Sequence, residues 1–303
     1  RDRLRSRGLG DVYKRQTYAR YAHLINSHIK PQLGDYKLSM LSTEIIEDFI
    51  ENQLVEGQLD RTGGLAPKTV IDLLAIVKST IGYAQYKGFP VICNLSRLSV
   101  KRKDKEMRVL TPSERESLIG ILMEDMDSFK FGVFLALYTG IRIGELCALQ
   151  WKDIDFARAT LKVRKTIQRI QNIDRQAVSK TKIVISVPKS KCSIREIPLS
   201  VSVMDIAQNF ISYPESYVLT GTSRYIEPRT MQNHFKLYVK QSGISDANFH
   251  ALRHTFATRC VEVGFEIKSL SEILGHASVN ITLNRYVHSS FELKRFNMSK
   301  LIF

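Results

Sequence analysis

The spacing of apolar residues changes twice along the 303-residue chain, and this change constrains the fold more than any other sequence feature. Up to about residue 149, apolar residues recur every three to four positions, as in amphipathic helices. From Trp151 to Leu199 they alternate every two positions, as in short strands, and after Ser200 the helical spacing returns. Helices on both sides of one short β region predict a mainly α protein with a small antiparallel sheet.

A charged connector divides the chain into two predicted domains. Ser99–Arg108 (SVKRKDKEMR) offers little to bury, so residues 99–109 are interpreted as a linker. Residues 17–98 predict a helical bundle, and Pro31 is expected to end its first helix. The predicted helices of this bundle cover Thr17–Ile29, Thr43–Val55 and Pro67–Tyr86. A chain of this length is long enough to bury two separate cores.

Residues 110–289 predict an α+β domain. Three helical segments precede its β region and five follow it. The segment Gln168–Lys182 lengthens the β region, and the sequence leaves its placement open. The predicted strands are Trp151–Phe156, Thr160–Thr166, Ile183–Pro188 and Arg195–Leu199.

Both ends of the chain are set apart from these domains. Residues 1–16 have neither helical nor strand spacing, and they resemble translated adaptor or vector sequence. We therefore treat them as a non-native leader, with a genuine basic arm as the alternative. Residues 290–303 form a polar tail in which apolar residues recur, namely Phe291, Leu293, Phe296, Met298 and Leu301.

Positive charge is concentrated in one window of the sequence. The chain has 45 Lys and Arg against 30 Asp and Glu, and residues 160–195 alone hold ten basic residues and one acid, Asp174. Such a concentration favours a surface that faces a polyanion, and a solvated hairpin is the alternative. The candidate backbone-contacting residues, including three from the linker, are Lys101, Arg102, Lys103, Lys162, Arg164, Lys165 and Lys191.

The cysteine spacing and the hydropathy of the chain limit the cellular compartment in which it is expected. Its four cysteines are widely spaced without a CxxC pair, which argues against a disulfide framework and favours a reducing cytoplasm. No apolar run approaches the ~18–20 residues of a membrane span. The first sixteen residues also lack the apolar stretch of a signal peptide, so no membrane partner is expected.

Four short motifs carry the candidate chemistry. Their arginines can clamp phosphate oxygens, their histidines can move protons near neutral pH, and a tyrosine can act as a nucleophile. No carboxylate cluster accompanies them, so a two-metal phosphoryl-transfer site is not indicated. The motifs are TGIRIGEL at 139–146, KSK at 189–191, HALRH at 250–254, and LGH at 274–276 with Tyr286 ten residues further on.

Taken together and in this order, the motifs resemble those of the tyrosine recombinase (phage integrase) family. The chain matches TGxRxxEL, a turn lysine before RxIPL, HxLRHTFAT, LGHxS and RY across residues 110–289. Residues 17–92 resemble the helical core-binding domain of the same family. The chain looks most like integrases of conjugative transposons and prophages of Gram-positive bacteria. The resemblance implies the tyrosine recombinase catalytic fold and a nucleoid-associated protein of the bacterial cytoplasm.

The implied reaction is site-specific cutting and rejoining of DNA strands, for integration or excision of a mobile element. The resemblance makes Tyr286 the nucleophile that forms a 3′-phosphotyrosyl intermediate. Arg142 and Arg253 would hold the non-bridging oxygens of the scissile phosphate, and His276 would donate a further hydrogen bond to them. Neither a metal nor a nucleotide cofactor is implied.

The remaining implied roles concern protons and orientation. Lys189 would protonate the leaving 5′-oxygen, with Lys191 as the alternative lysine. His250 would manage the proton of Tyr286 or of the phosphate. Glu145 would orient Arg142 rather than contact DNA.

The resemblance also implies partners. These are double-stranded DNA core attachment sites and three further copies of the chain on DNA, the free protein being a monomer. The tail 290–303 would be exchanged between copies, with packing on its own subunit as the alternative. An excisionase and a host DNA-bending protein are further implied partners, and the family's arm-binding domain is expected to be missing here. The competing functions are a type IB topoisomerase-like nicking-resealing enzyme and a catalytically silent DNA-binding regulator.

Overall fold

The computed structural model of the chain describes residues 17–60, 62–101, 107–172, 179, 181–188, 190–287, 295 and 298–299. The chain forms two compact units that divide at about residue 106. In the described part of the chain, no helix is long and apolar enough to cross a membrane. The predicted leader 1–16, most of the predicted tail 290–303, and Arg102, Lys103 and Lys189 lie outside the described residues.

The first unit is helical. Its helix α3 (Thr43–Glu56) begins after Ser42, whose hydroxyl accepts a hydrogen bond from the amide of Ile45. The side chains of Ile46, Phe49 and Ile50 on α3 pack against Val70, Leu74 and Val77 on α4 to form its core. The helices of this unit are α1 (residues 17–24), α2 (Lys30–Leu33), α3 (Thr43–Glu56) and α4 (Pro67–Tyr86).

Pro31 does not end the first helix of this unit, contrary to the prediction. Between α1 and α2 the chain forms a π-helical turn, Ile25–Ile29, and Pro31 lies in the first turn of α2. A proline inside a regular α-helix clashes with the carbonyl four residues earlier, and the wider π turn relieves this crowding. The helical path therefore continues to Leu33.

The second unit is also mainly helical, with its strands in the middle of the sequence. Thr111 and Glu114 form a capping box at the start of α5, and the side chains of Phe131 and Leu135 on α6 are fully buried in the core. Its helices are α5 (Pro112–Met123), α6 (Ser128–Thr139), α7 (Ile143–Leu146), α8 (Val201–Gln208), α9 (Pro228–Gln241), α10 (Phe249–Glu262), α11 (Ile267–Leu274) and α12 (Val279–Tyr286).

The β region forms two antiparallel sheets rather than the single sheet that was predicted. One sheet has the strand order β1-β2-β5, and the other is the hairpin β3-β4, with Thr166 opposite Ser186 and Gln171 opposite Thr181. The strands are β1 (Ile154–Asp155), β2 (Thr160–Val163), β3 (Thr166–Gln171), β4 (Thr181–Ser186) and β5 (Arg195–Pro198).

Two predicted strands are divided in the structure. Arg164 and Lys165 are both exposed between the buried Val163 and Thr166. Two consecutive exposed residues break the alternation of a strand, so the chain leaves one sheet and enters the next. The predicted strand Trp151–Phe156 becomes a 3-10 turn followed by the two-residue β1.

Two helices of the second unit end in a left-handed glycine. Gly140 follows α6 with a φ of 62°, and Gly275 follows α11 with a φ of 65°. A Cβ atom at Gly140 would lie 2.6 Å from the ring of Phe256, so glycine is needed there for space as well as for backbone conformation. Each glycine turns the chain sharply, and the last carbonyls of both helices accept hydrogen bonds from arginine side chains.

Candidate active site

The second unit brings five of the six candidate catalytic residues to the end of α11. Arg142 immediately precedes α7, while His250 and Arg253 lie on α10. His276 follows the end of α11, and Tyr286 is the last residue of α12. The sixth candidate, Lys189, lies outside the described residues, and the alternative Lys191 begins a 3-10 turn just before β5.

The last carbonyls of α11 bind three arginine side chains. Carbonyls at a helix end lack partners within the helix, and the negative end of the helix dipole stabilises positive charge. The end of α11 therefore fixes three guanidinium groups close together. The three contacts are Arg195 Nε to the carbonyl of Ile273 (2.5 Å), Arg253 Nη2 to that of Leu274 (2.6 Å) and Arg142 Nη2 to that of Gly275 (3.2 Å).

The carboxylate of Glu145 joins two of these arginines. Arg195 donates to both of its oxygens at 3.1 and 2.9 Å, and Arg142 Nη1 donates to Oε1 at 2.8 Å. Burial alone raises the pKa of the Glu145 carboxyl, but the hydrogen bonds and charge of Arg195, with the charge of Arg142, outweigh it and lower the pKa. Glu145 is therefore a carboxylate at neutral pH, held against Arg142.

The two candidate phosphate-binding arginines differ in exposure. Arg253 is only 3% exposed, and its Nη1 donates to the carbonyl of Gly140 at 2.7 Å. Burial, followed by the charges of Arg142 and Arg195, lowers the pKa of Arg253 to about 9, so its guanidinium is still charged at neutral pH. The side chain of Arg142 is 36% exposed. An anion can reach Arg142 from solvent, whereas Arg253 forms the floor of the site.

The rings of His254 and His276 lie next to Tyr286, which is itself 5% exposed, and a third ring, that of His250, lies next to His254. His254 Nδ1 lies 2.9 Å from the phenol oxygen of Tyr286. The ring of His276 is nearly parallel to that of Tyr286, with centroids 6.3 Å apart, and its Nδ1 lies 2.8 Å from Thr282 Oγ1. The ring of His250 meets the ring of His254 edge-on at 4.5 Å.

Burial and the neighbouring arginines keep these rings neutral. Burial, then Arg285 and Arg253, lowers the pKa of His254 to about 4, and similar causes lower the pKa values of His250 to about 4 and of His276 to about 3. The pKa of Tyr286 is raised because burial outweighs the nearby arginine charges. The charge of the site at neutral pH is therefore that of its arginines less that of the Glu145 carboxylate, and the resulting positive charge suits a phosphate anion.

The sequence motifs assign no role to two residues that the structure places in this site, His254 and Arg195. Both belong to motifs with chemical interest: His254 ends HALRH, and Arg195 begins the REIPL segment of β5. The side chain of Arg195 is 5% exposed, which is unusual for an arginine without a structural partner. The sequence feature that could have identified Arg195 as a site residue is its position, since it is a basic residue at the start of a half-buried strand.

Ion pairs neutralise part of the basic window 160–195. Four of its ten basic residues contact acidic side chains that lie outside the window, so the charge available to a polyanion is smaller than the sequence count. These pairs are Lys162 with Glu196, Arg164 with Asp153, Arg169 with Glu227, and Arg195 with Glu145. Lys165 is exposed on the connection between β2 and β3, and Lys101 is exposed in the first unit.

Comparison with known sequences connects both units to one family. The profile of the phage integrase family matches residues 108–292, and that of the phage integrase N-terminal SAM-like domain matches residues 13–54. The chain is 26% identical over 304 residues to a tyrosine recombinase XerC-like protein of Caldanaerobacter subterraneus subsp. tengcongensis, covering 91% of this chain and 74% of that protein. It is 24% identical over 287 residues to the ICEBs1 integrase of Bacillus subtilis (strain 168), covering 89% and 73%.

Solved structures show the same fold. The Tn1549 transposon integrase in complex with a circular intermediate DNA aligns with a TM-score of 0.74 at 23% identity, covering 94% of this chain and 93% of that one. A lambda integrase tetramer bound to a Holliday junction gives 0.63 at 18% identity, covering 94% and 78%. The predicted fold class is therefore confirmed. Because the family profile covers more than half of the chain, the chain belongs to the phage integrase family and is a site-specific DNA recombinase of the tyrosine type.

Proposed function

We propose that this recombinase cuts and rejoins DNA at the core attachment sites of a mobile element through a covalent bond between Tyr286 and the 3′-phosphate. One observation carries the residue assignment. The phenol of Tyr286 lies beside the cluster in which Arg142 and Arg253 are fixed by the end of α11. A tyrosine nucleophile needs such preorganised positive charge around the phosphate that it attacks.

Both arginines keep free N–H groups for the phosphate. A guanidinium has five N–H donors. In Arg253 one hydrogen bond from each Nη reaches a main-chain carbonyl, which leaves a second hydrogen on each nitrogen. In Arg142 the Nη groups hold Glu145 and the carbonyl of Gly275 in the same way. We assign these free donors to the non-bridging oxygens, where charge builds up in the transition state.

His276 is proposed to donate one more hydrogen bond to the same oxygens. Thr282 lies within hydrogen-bond distance of its Nδ1, and a hydroxyl can donate to that nitrogen. The neutral ring then carries its proton on Nε2, which is the form required of a donor. This arrangement supports a neutral His276, in keeping with its lowered pKa.

In the proposed cleavage step, the oxygen of Tyr286 bonds to phosphorus and the bond from phosphorus to O5′ breaks. Lys189 gives a proton to O5′, with Lys191 as the alternative donor, and His250 contributes to proton or phosphate handling. Rejoining reverses these steps with the 5′-hydroxyl of a second strand. The phosphotyrosyl bond conserves the energy of the broken phosphodiester, so no nucleotide is consumed.

The proposal extends to partners and place of action. The first unit is the core-binding domain, and Lys101, Arg102, Lys103, Lys162, Arg164, Lys165 and Lys191 contact the DNA backbone. Four copies act together on two sites and exchange their tails, residues 290–303. The solved lambda integrase tetramer on a Holliday junction has a similar fold and supports this assembly. An excisionase and a host DNA-bending protein assist in the bacterial cytoplasm, at the nucleoid.

The decisive experiment traps the covalent intermediate. A nicked suicide duplex carrying the junction sequence of the encoding element is incubated with the protein, and adducts are counted on a denaturing gel. We expect an adduct with the wild type and none with Tyr286→Phe. Tyr238→Phe is the matched control, because Tyr238 is equally buried but lies on α9 in the core, and it should form the adduct normally.

Absence of any wild-type adduct would contradict the enzyme assignment and favour a silent DNA-binding regulator. Relaxation of a supercoiled plasmid that lacks the junction sequence would instead indicate a topoisomerase-like enzyme. Retained adduct formation by Tyr286→Phe would show that another residue is the nucleophile.

A further inference from the structure

We propose that His254, the residue that follows Arg253 on α10, accepts the phenolic proton of Tyr286 during strand cleavage. The inference deepens the proposed function, since it rests on Tyr286 being the nucleophile. It assigns a catalytic role to a histidine for which the sequence motifs provide none.

The first support is direct contact. His254 Nδ1 lies 2.9 Å from the Tyr286 oxygen, which is the range of a hydrogen bond. Both side chains are buried, with His254 8% exposed and Tyr286 5% exposed. A proton acceptor must lie within hydrogen-bond reach of the proton that it takes, and His254 meets this requirement before DNA arrives.

The second support is the direction of the hydrogen bond. At neutral pH the phenol is protonated because burial raises the pKa of Tyr286, and the imidazole is neutral because burial and the charges of Arg285 and Arg253 lower the pKa of His254 to about 4. The phenol therefore has a hydrogen to donate to Nδ1 of His254. In a neutral imidazole Nδ1 accepts when Nε2 carries the hydrogen, so the pair is arranged for transfer from oxygen to nitrogen.

The third support is that the other two histidines of the site have different neighbours. His276 Nδ1 is engaged with Thr282, and the ring of His276 lies parallel to that of Tyr286 with the centroids 6.3 Å apart. His250 contacts the ring of His254 edge-on and has no ring contact or hydrogen bond with Tyr286 among the described residues. Among the described residues, His254 is the base hydrogen-bonded to the nucleophile.

The step balances as follows. The phenol proton moves to Nδ1 of His254 as the Tyr286 oxygen bonds to phosphorus, and the electron pair of the broken bond goes to O5′, which Lys189 protonates. The new imidazolium lies near Arg253 and Arg285, and the negative charge of the DNA phosphate offsets their repulsion. In rejoining, His254 returns the proton to the departing phenolate.

The test combines two changes, a substitution of His254 and an increase in the acidity of the phenol at position 286. His254→Phe keeps a ring but removes the acceptor, and His254→Asn keeps an acceptor near the position of Nδ1 but is too weak a base to take the proton. We measure single-turnover adduct formation for each variant with tyrosine or 3,5-difluorotyrosine at position 286. With tyrosine we expect both variants to be about 10²-fold slower than the wild type, as for removal of a general base. With the more acidic difluorotyrosine, which needs less help to ionise, the deficit should shrink below about tenfold.

A packing defect has no reason to respond to the acidity of the phenol. An equal deficit with both nucleophiles, or no deficit with tyrosine, would overturn the assignment. His250→Asn is the matched control on the same helix, and its deficit should not depend on fluorination.

A second substrate separates proton acceptance from proton donation. A 5′-bridging phosphorothiolate has a sulfur leaving group that departs without protonation, so it should restore Lys189→Ala and leave His254→Phe slow. Restoration of His254→Phe by this substrate would overturn the assignment, because His254 would then act on the leaving group. Failure of the proposed function itself is recognised separately, since the wild type would then form no adduct at Tyr286.

Discussion

The two units of this recombinase treat polar side chains in opposite ways. In the described part of the first unit, the buried polar side chains are His28 and Gln53. Its ion pair between Arg20 and Asp72 lies at the surface. The second unit instead buries Glu145 and Arg253, with further polar groups around the end of α11.

The difference shows where burial of charge serves chemistry. A buried charge is costly unless it is paired and fully hydrogen-bonded, so a bundle that only needs a stable core avoids it. The second unit meets this cost with carbonyls of helix ends and one shared carboxylate. Substitutions of the buried charged groups there should therefore affect stability and cleavage together, whereas substitutions at surface pairs should affect neither strongly.

The largest effect on stability is expected from Glu145→Gln. Removing this carboxylate leaves the buried Arg195 without its counter-charge, and such broken pairs cost about 3–5 kcal/mol. Urea unfolding of the full chain, followed by fluorescence of Trp151 in the second unit, measures the loss. Glu227→Gln is the control, because its pair with Arg169 is half exposed and should contribute about 0–1 kcal/mol. Equal losses for the two variants would remove the distinction between buried and surface pairs.

The next effect compares the two phosphate-binding arginines. Arg142→Lys and Arg253→Lys should each slow adduct formation by about 10²–10³-fold, as expected when one preorganised donor is lost. Only Arg253→Lys should also lower the free energy of unfolding, by about 1–3 kcal/mol, because the carbonyls of Gly140 and Leu274 lose their donors. If Arg142→Lys lowers the free energy of unfolding as much as Arg253→Lys does, then the difference in exposure does not separate an arginine that only binds phosphate from one that also stabilises the fold.

A pH effect follows from His254. Its pKa in the folded protein, about 4, lies below the ordinary value of about 6.5, so below pH 6.5 the unfolded chain binds a proton that the folded chain does not. The stability due to the neutral ring is fully present above pH 6.5 and is lost as pH falls towards 4. Between pH 6.5 and 5 we expect a loss of about 2 kcal/mol that is missing in His254→Asn. Parallel stability curves for wild type and variant would contradict this.

The smallest effect is expected in the first unit. Ser42→Ala removes the hydroxyl that caps α3 and should cost about 1 kcal/mol of stability without changing the rate of adduct formation from bound protein. Ser278→Ala removes the corresponding cap of α12, the helix that ends at Tyr286, and should also slow adduct formation. A cleavage defect in Ser42→Ala would show that the first unit influences the chemistry.

Local sequence patterns were sufficient for much of the fold. The bounds predicted for Thr43–Val55 and Pro67–Tyr86 agree to within one residue with α3 and α4, because apolar spacing and the flanking Pro and Gly residues specify each helix. The division of the β region and the course of the chain past Pro31 were not predictable in this way. The first depends on which side chains the two sheets leave exposed at Arg164 and Lys165, and the second on how the backbone relieves crowding at Pro31.

The site was predictable only as a set of motifs. The contact between Glu145 and Arg195 joins residues 50 positions apart, and that between His254 and Tyr286 joins residues 32 apart. No spacing rule connects such pairs. The resemblance supplied the candidates, and only the three-dimensional arrangement distinguishes His254, which contacts the phenol oxygen, from His250, which does not.

The contacts at the end of α11 make the length of this helix more important than its exposed side chains. Three successive carbonyls accept hydrogen bonds from three arginines, so the spacing of the carbonyls fixes the spacing of the guanidinium groups. Substitution of an exposed residue such as Glu272 leaves these carbonyls where they are. Insertion of one residue ahead of Ile273 rotates the end of the helix by about 100° and misaligns all three contacts at once. The exposed positions of this segment should therefore tolerate substitution, whereas its length should not change.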